Sequence, residues 1–145
     1  MYLFRLLSFS FFILLGFEGI SQTSTPKIDS LKLVLKQANS QRDKAKTYAD
    51  ICWEYLNIDL NISKKYNDSS KIYYESINHK KGVSNCTYRY GVIYRKRGEY
   101  DKALVNFNDA LKYATATKDT FTVADCKYQK GVVYASKGDF KKSLQ

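Results

Sequence analysis

A 22-residue stretch occurs twice in this chain, 40 residues apart, and no other feature limits the fold as much. Residues 83 to 104 read VSNCTYRYGVIYRKRGEYDKAL and residues 123 to 144 read VADCKYQKGVVYASKGDFKKSL. Nine positions are identical: Val83/Val123, Cys86/Cys126, Tyr88/Tyr128, Gly91/Gly131, Val92/Val132, Tyr94/Tyr134, Gly98/Gly138, Lys102/Lys142 and Leu104/Leu144. Most others are conservative exchanges, such as Tyr100/Phe140 and Ala103/Ser143. A fixed period in this range signals a repeat architecture, in which each unit buries its apolar face only against its neighbours. Stacked repeats of this kind usually present binding surfaces and not active sites.

The pattern within and around the copies is helical. Apolar residues recur at helical spacing over 28–39, 43–56, 62–77, 83–97, 100–114 and 121–137, and a further helix begins at Asp139 or Phe140. Gly98 and Gly138 stand where a helix end needs a left-handed residue. NSQRD, NIDLN, INHKKG and TATKD are the breaks. Pro26 is the single proline, so nothing later in the chain interrupts a helix in that way. No alternating strand pattern competes. The expectation is an all-α chain of antiparallel helix pairs joined by tight turns.

The first 21 residues differ from the rest. Arg5 gives a short basic start, residues 6 to 17 form the apolar run LLSFSFFILLGF, and Gly19 and Ser21 supply small residues at a cleavage position. This is the layout of a secretory signal peptide. A predominantly apolar run of twelve residues falls short of the roughly 20 that span a bilayer. An uncleaved N-terminal anchor is the alternative. Residues 22–42 then read as a polar spacer and an N-terminal helix. The expected location is outside the cytoplasm, in the periplasm or cell envelope.

The net charge is +10, from 24 basic and 14 acidic residues, and removal of residues 1–21 leaves it unchanged. The basic residues are spread along the helices without forming one block, so nucleic acid is not the expected partner. An acidic protein or peptide fits better. Cys52, Cys86 and Cys126 are three in number, so they cannot all pair. Cys86 and Cys126 hold equivalent places in helices that pack no closer than about 8 Å, beyond disulfide reach. They read as small packing residues.

The order Gly91, Tyr94, Gly98, Tyr100, Ala103, Phe107, Ala110 and Leu111 resembles the tetratricopeptide repeat (TPR) pattern. The second copy keeps Gly131, Tyr134, Gly138, Phe140, Ser143 and Leu144. The resemblance implies an α-solenoid of about 2.5 to 3 repeats over 43–145: a degenerate repeat at 43–81, a clear one at 82–121 and a truncated one at 122–145. In the degenerate copy, a shift of 41 sets Trp53 against Tyr94, Ile62 against Ala103, Tyr66 against Phe107 and Ser69 against Ala110. Six residues more than the usual 34 are assigned to the link around 112–122. The chain stops inside the second helix of its last repeat, so a fragment of a longer protein is expected, with a complete protein frayed at its end as the alternative.

In such a stack the first helix of each pair lines the concave face. The resemblance then implies a groove formed by Asn85, Tyr88, Arg89, Val92, Arg95 and Lys96, continued by Asp125, Tyr128, Gln129 and Val132. Tyr88 and Tyr128 would form a short ladder, with Arg89, Arg95 and Lys96 making the face basic. The carboxylate-binding set of some TPR proteins is not reproduced, since Gln129 stands opposite Arg89. Two functions are compatible with this reading. One is a non-catalytic interaction scaffold. The other is the extracytoplasmic sensory part of a longer histidine kinase or DNA-binding regulator, as in some exported bacterial TPR proteins.

Signals for catalysis are weak. His79, the single histidine, lies in a link with no nucleophile at a helpful spacing. No phosphate-binding glycine loop or metal-ligand cluster is present in the sequence, so no catalytic residue, metal or cofactor is assigned. Membrane contact is expected only through residues 1–21 or a segment beyond the chain.

Overall fold

A computed structural model describes residues 24–143, apart from the side chain of Phe140. The expected signal peptide at 1–21 and the Leu104/Leu144 equivalence lie outside the described residues. Within them the chain is helical and contains no strand. The elements are α1 (Pro26–Gln37), α2 (Gln41–Tyr55), α3 (Leu60–Ser76), α4 (Lys80–Lys96), α5 (Tyr100–Ala116), α6 (Thr120–Ser136) and α7 (Phe140–Ser143). Each packs on the next in sequence, and α4 also packs on α6. The result is an all-α array of consecutive helices of the α-solenoid kind.

The turns explain the regularity. After α3, α4, α5 and α6 the residue one past the C-cap is left-handed: Asn78 (φ 51°), Gly98 (φ 74°), Lys118 (φ 55°) and Gly138 (φ 78°). In each case the next residue's N–H reaches back to a carbonyl in the last helical turn: His79 to Tyr74, Glu99 to Tyr94, Asp119 to Ala114 and Asp139 to Tyr134, all at 2.9 Å. This is the Schellman arrangement, which satisfies carbonyls the helix leaves open. At three of the four turns that residue also caps the following helix through its side chain, Glu99 being the exception. His79 Nδ1 accepts from the Gly82 N–H at 2.9 Å, and Asp119 accepts from Thr122. One residue therefore closes a helix and opens the next.

These turns leave only residues 77–79, 97–99 and 117–119 between 17-residue helices, so helices begin every 20 residues at Leu60, Lys80, Tyr100, Thr120 and Phe140. The links INHKKG and TATKD are correspondingly shorter than expected. The link after α5 is 117–119, no longer than those after α3 and α4, so no extra residues gather at 112–122. His79 is not a solvated loop residue either. Its ring stacks on Tyr74 with centroids 5.1 Å apart while it caps α4.

The clear repeat packs as its small residues require. A Cβ on Gly91 would lie 2.5 Å from the Phe107 ring, which is itself fully buried. Ala103, Phe107, Val92, Ile93, Val133, Cys52 and Leu56 form the main core, flanked by Tyr88, Tyr94 and Tyr100. A second cluster, Ile28, Ile51 and Tyr55, fastens α1 to α2. Tyr48, Tyr55, Tyr66 and Tyr73 stack beside it, with centroids 5.4–6.1 Å apart.

The degenerate repeat holds a correction. The link after α2 runs 56–59, one residue longer than the others. The shift relating the pairs is therefore 41 in the first helix but 40 in the second. The buried slots of α3 are Ser63, Asn67 and Ser70, matching Ala103, Phe107 and Ala110. They are not Ile62, Tyr66 and Ser69. The slots hold small polar residues, so an alignment of apolar residues slid by one position.

Two outcomes follow from this packing. Lys118→Gly should raise stability by about 1 kcal/mol, because a lysine is strained at positive φ; urea unfolding followed by Trp53 fluorescence would measure it. Gly91→Ala should cost about 2 kcal/mol by overpacking against Phe107, and should be nearly neutral in a Phe107→Leu background, as a double-mutant cycle would read.

Candidate functional site

The face carrying the expected groove is formed by α2, α4 and α6, the first helices of the pairs. Between α4 and α6, Thr122 donates through Oγ1 to Asn85 Oδ1 at 3.0 Å, and Gln129 Nε2 lies 3.5 Å from the Tyr88 hydroxyl. Between α2 and α4, the Trp53 and Tyr88 rings approach at 6.2 Å, and Lys96 Nζ donates to Asn57 Oδ1 at 2.8 Å. The expected residues thus sit on neighbouring helices, but they do not all face outward.

Arg89 and Val92 are not groove residues. Arg89 is 5% exposed and Val92 4%. Val92 belongs to the main core. Arg89 turns toward α3, where Nη1 donates to Asn67 Oδ1 at 3.1 Å and lies 3.2 Å from Cys86 Sγ. Asn67 Nδ2 in turn donates to the Cys86 carbonyl at 2.9 Å, and Ser70 Oγ donates to the Ala45 carbonyl at 2.8 Å. The cause is the missing aromatic. Asn67 occupies the slot that Phe107 fills one repeat later, and a buried amide needs polar partners. Arg89 supplies one, and in Gln129's repeat no such demand arises.

Tyr88 and Tyr128 do not form a ladder. Tyr88 is half-buried between Trp53 and Phe107. Burial, with Asp125 next in effect, raises the pKa of its hydroxyl. Tyr128 is 70% exposed. The two positions are equivalent, but no counterpart of Phe107 stands beside Tyr128 among the described residues. Asn85, Asp125, Gln129 and Val132 are half-buried, and Lys96 is exposed. Arg95 is half-buried, with its Nε enclosed and unpartnered, as is Gln129 Oε1. What remains open on this face is Trp53, Lys96 and Tyr128, rimmed by Arg95 and Asp125. Trp53, 40% exposed, is a member that the groove positions counted from Gly91 and Gly131 omitted.

The three cysteines are buried and free. Ser63 Oγ lies 3.4 Å from Cys52 Sγ and donates to the Cys52 carbonyl at 2.9 Å. Burial pushes the Cys52 thiol up and the Cys126 thiol up to about 11, Asp125 adding to the latter. A thiol held protonated is a poor nucleophile. Among the described residues no group of three or more His, Cys, Asp or Glu could hold a metal ion, and no helix is long and apolar enough to cross a membrane.

Comparison with known proteins finds no family model, no curated protein and no solved structure that matches the chain.

The buried network should be cooperative. Asn67→Ala leaves the Arg89 guanidinium without its amide partner and should cost about 2 kcal/mol. The Asn67→Leu, Arg89→Met double variant should cost less than the sum of its single changes, read by urea unfolding. The cysteines should resist a thiol reagent such as dithionitrobenzoate at pH 8 in the folded protein and react at once in denaturant.

Proposed function

We propose that this chain is a non-catalytic protein-interaction scaffold of the TPR type. The observation that carries the reading is the open array itself. Its 40-residue helix pairs hold Gly91 against Phe107 in the order Gly91, Tyr94, Gly98, Tyr100, Ala103 and Phe107, and they leave large side chains in solvent. An array of stacked pairs gives an extended surface well suited to a protein or peptide partner. Trp53 and Tyr128 would act as its anchors on the α2–α4–α6 face, because aromatic side chains give much contact area at little entropic cost. Lys96 and Arg95 favour acidic groups beside them.

The apolar run at 6–17, preceded by Arg5 and followed by Gly19 and Ser21, supports export and a place in the periplasm or envelope. The net charge of +10 there suits acidic proteins, and no cofactor enters this reading.

The test is site-specific photocrosslinking in the source cell. A photoreactive phenylalanine at Tyr128 or Trp53 should give discrete adducts of higher mass, and the same group at Leu33, on the far helix α1, should not. Absence of adducts from both groove positions would defeat the reading.

A further inference from the structure

A second groove lies between α3 and α5. The second helices of successive pairs, α3 and α5, stand apart, and α4 forms the floor between them. Val83, Thr87, Tyr90 and Tyr94 follow at spacings of four, three and four along α4, so they make one stripe. Three adjoining cavities of about 240, 460 and 270 Å³ lie along it. They share Val83 and Tyr113 at one end and Asn106 at the other. The stripe is about 16 Å long at 1.5 Å per residue, which matches about five residues of extended chain. Its apolar walls are open: Tyr113 is 50% exposed and Val105 58%.

The same groove recurs one repeat later. A cavity of about 160 Å³ between α5 and α7 is lined by Lys127, Lys130 and Tyr134, the counterparts of Thr87, Tyr90 and Tyr94. Lys102 lies 5.5 Å over the Tyr94 ring, and Lys142 lies 5.7 Å over the Tyr134 ring. The outer groove is therefore a repeated device, and not an accident of one gap.

Charge identifies its occupant. On the walls of the first groove Lys71 pairs with Glu75, and in the second Lys142 pairs with Asp139. The side chains of Lys80, Lys112, Lys127 and Lys130 have neither an ion pair nor a hydrogen bond with another described residue, and Asp109 is the one lining carboxylate equally free. In the first groove two unpaired cations, Lys80 and Lys112, stand against one unpaired anion, Asp109, and the cavities at its two ends are mainly apolar and of side-chain size, which together favour carboxylates attached to large apolar groups. We propose that this outer groove docks a short acidic peptide segment carrying aromatic or long aliphatic side chains. The segment lies across Val83 and Tyr113 with its carboxylates at Lys80 and Lys112. The proposal does not depend on the α2–α4–α6 face.

Phage display of random 12-residue peptides against the full chain tests it, with the best peptide then synthesised and titrated by fluorescence anisotropy. The expected winners combine Asp or Glu with Phe, Leu or Tyr. Their affinity should fall at least tenfold in the Lys80→Glu, Lys112→Glu variant and in Tyr113→Ser, and should weaken as salt rises. These side chains are exposed, so circular dichroism should show an unchanged fold. The Tyr128→Ser variant should bind normally. Selection of no acidic–apolar peptide overturns the proposal. So does binding that survives both outer variants. Loss in Tyr128→Ser alone would also overturn it while favouring the scaffold face described above.

Discussion

A left-handed residue one step past the C-caps of α3 to α6 sets the geometry on which the rest depends. Because the following residue closes one helix and already stands at the N-cap of the next, no slack is left between helices. Every helix from α3 to α6 then has the same length, and every pair returns to the same register. Gly91 meets Phe107, and Val133 reaches the core of the preceding pair, because that register is kept. A longer or looser link would allow each pair to rotate, and the core shared by α2, α4, α5 and α6 could not form.

On this frame the chain uses two kinds of interior. From α4 onward the buried slots hold Ala103, Phe107, Ala110 and Ala114, and the contact is apolar. Between α2, α3 and α4 the corresponding space holds Ser63, Asn67, Ser70, Ser84 and Arg89, joined by directed hydrogen bonds. Ser84 Oγ donates to the Ala110 carbonyl at 3.1 Å, so the polar set extends into the clear repeat as well. Apolar contacts tolerate small shifts; a hydrogen-bonded seam does not, since each buried polar atom must keep its partner.

This division explains what could be read from residues alone. The echo of 83–104 in 123–144 gave the period and the helix pairs, but not the Gly91–Phe107 contact, since residue 107 lies beyond the repeated stretch and its ring packs within the pair and not between that pair and the next. Gly98 and Gly138 marked their turns, because glycine favours positive φ. Asn78 and Lys118 did not, since lysine carries no sign of positive φ, and so the links around them were drawn too long. The inward turn of Arg89 was hidden because it answers Asn67, a residue 22 positions earlier whose slot was misplaced by one. Helix starts at 20-residue intervals, counted back from Gly98 through Asn78, would have placed that slot correctly. The outer groove was not legible, because it is a gap between α3 and α5 and depends on how far two non-adjacent helices stand apart.

The polar seam has a dynamic consequence. A linear stack has no long-range contacts to tie its ends together, so it can open locally at its weakest internal boundary. Once water enters the space around Arg89 and Asn67, their hydrogen bonds are replaced by hydration at little cost, whereas water beside Phe107 has no such compensation. Amide protons of α1 to α3 should therefore exchange with solvent as one unit, ahead of those in α4 and α5. The molecule is built as a firm block with a detachable neighbour, and the buried arginine is the latch between them.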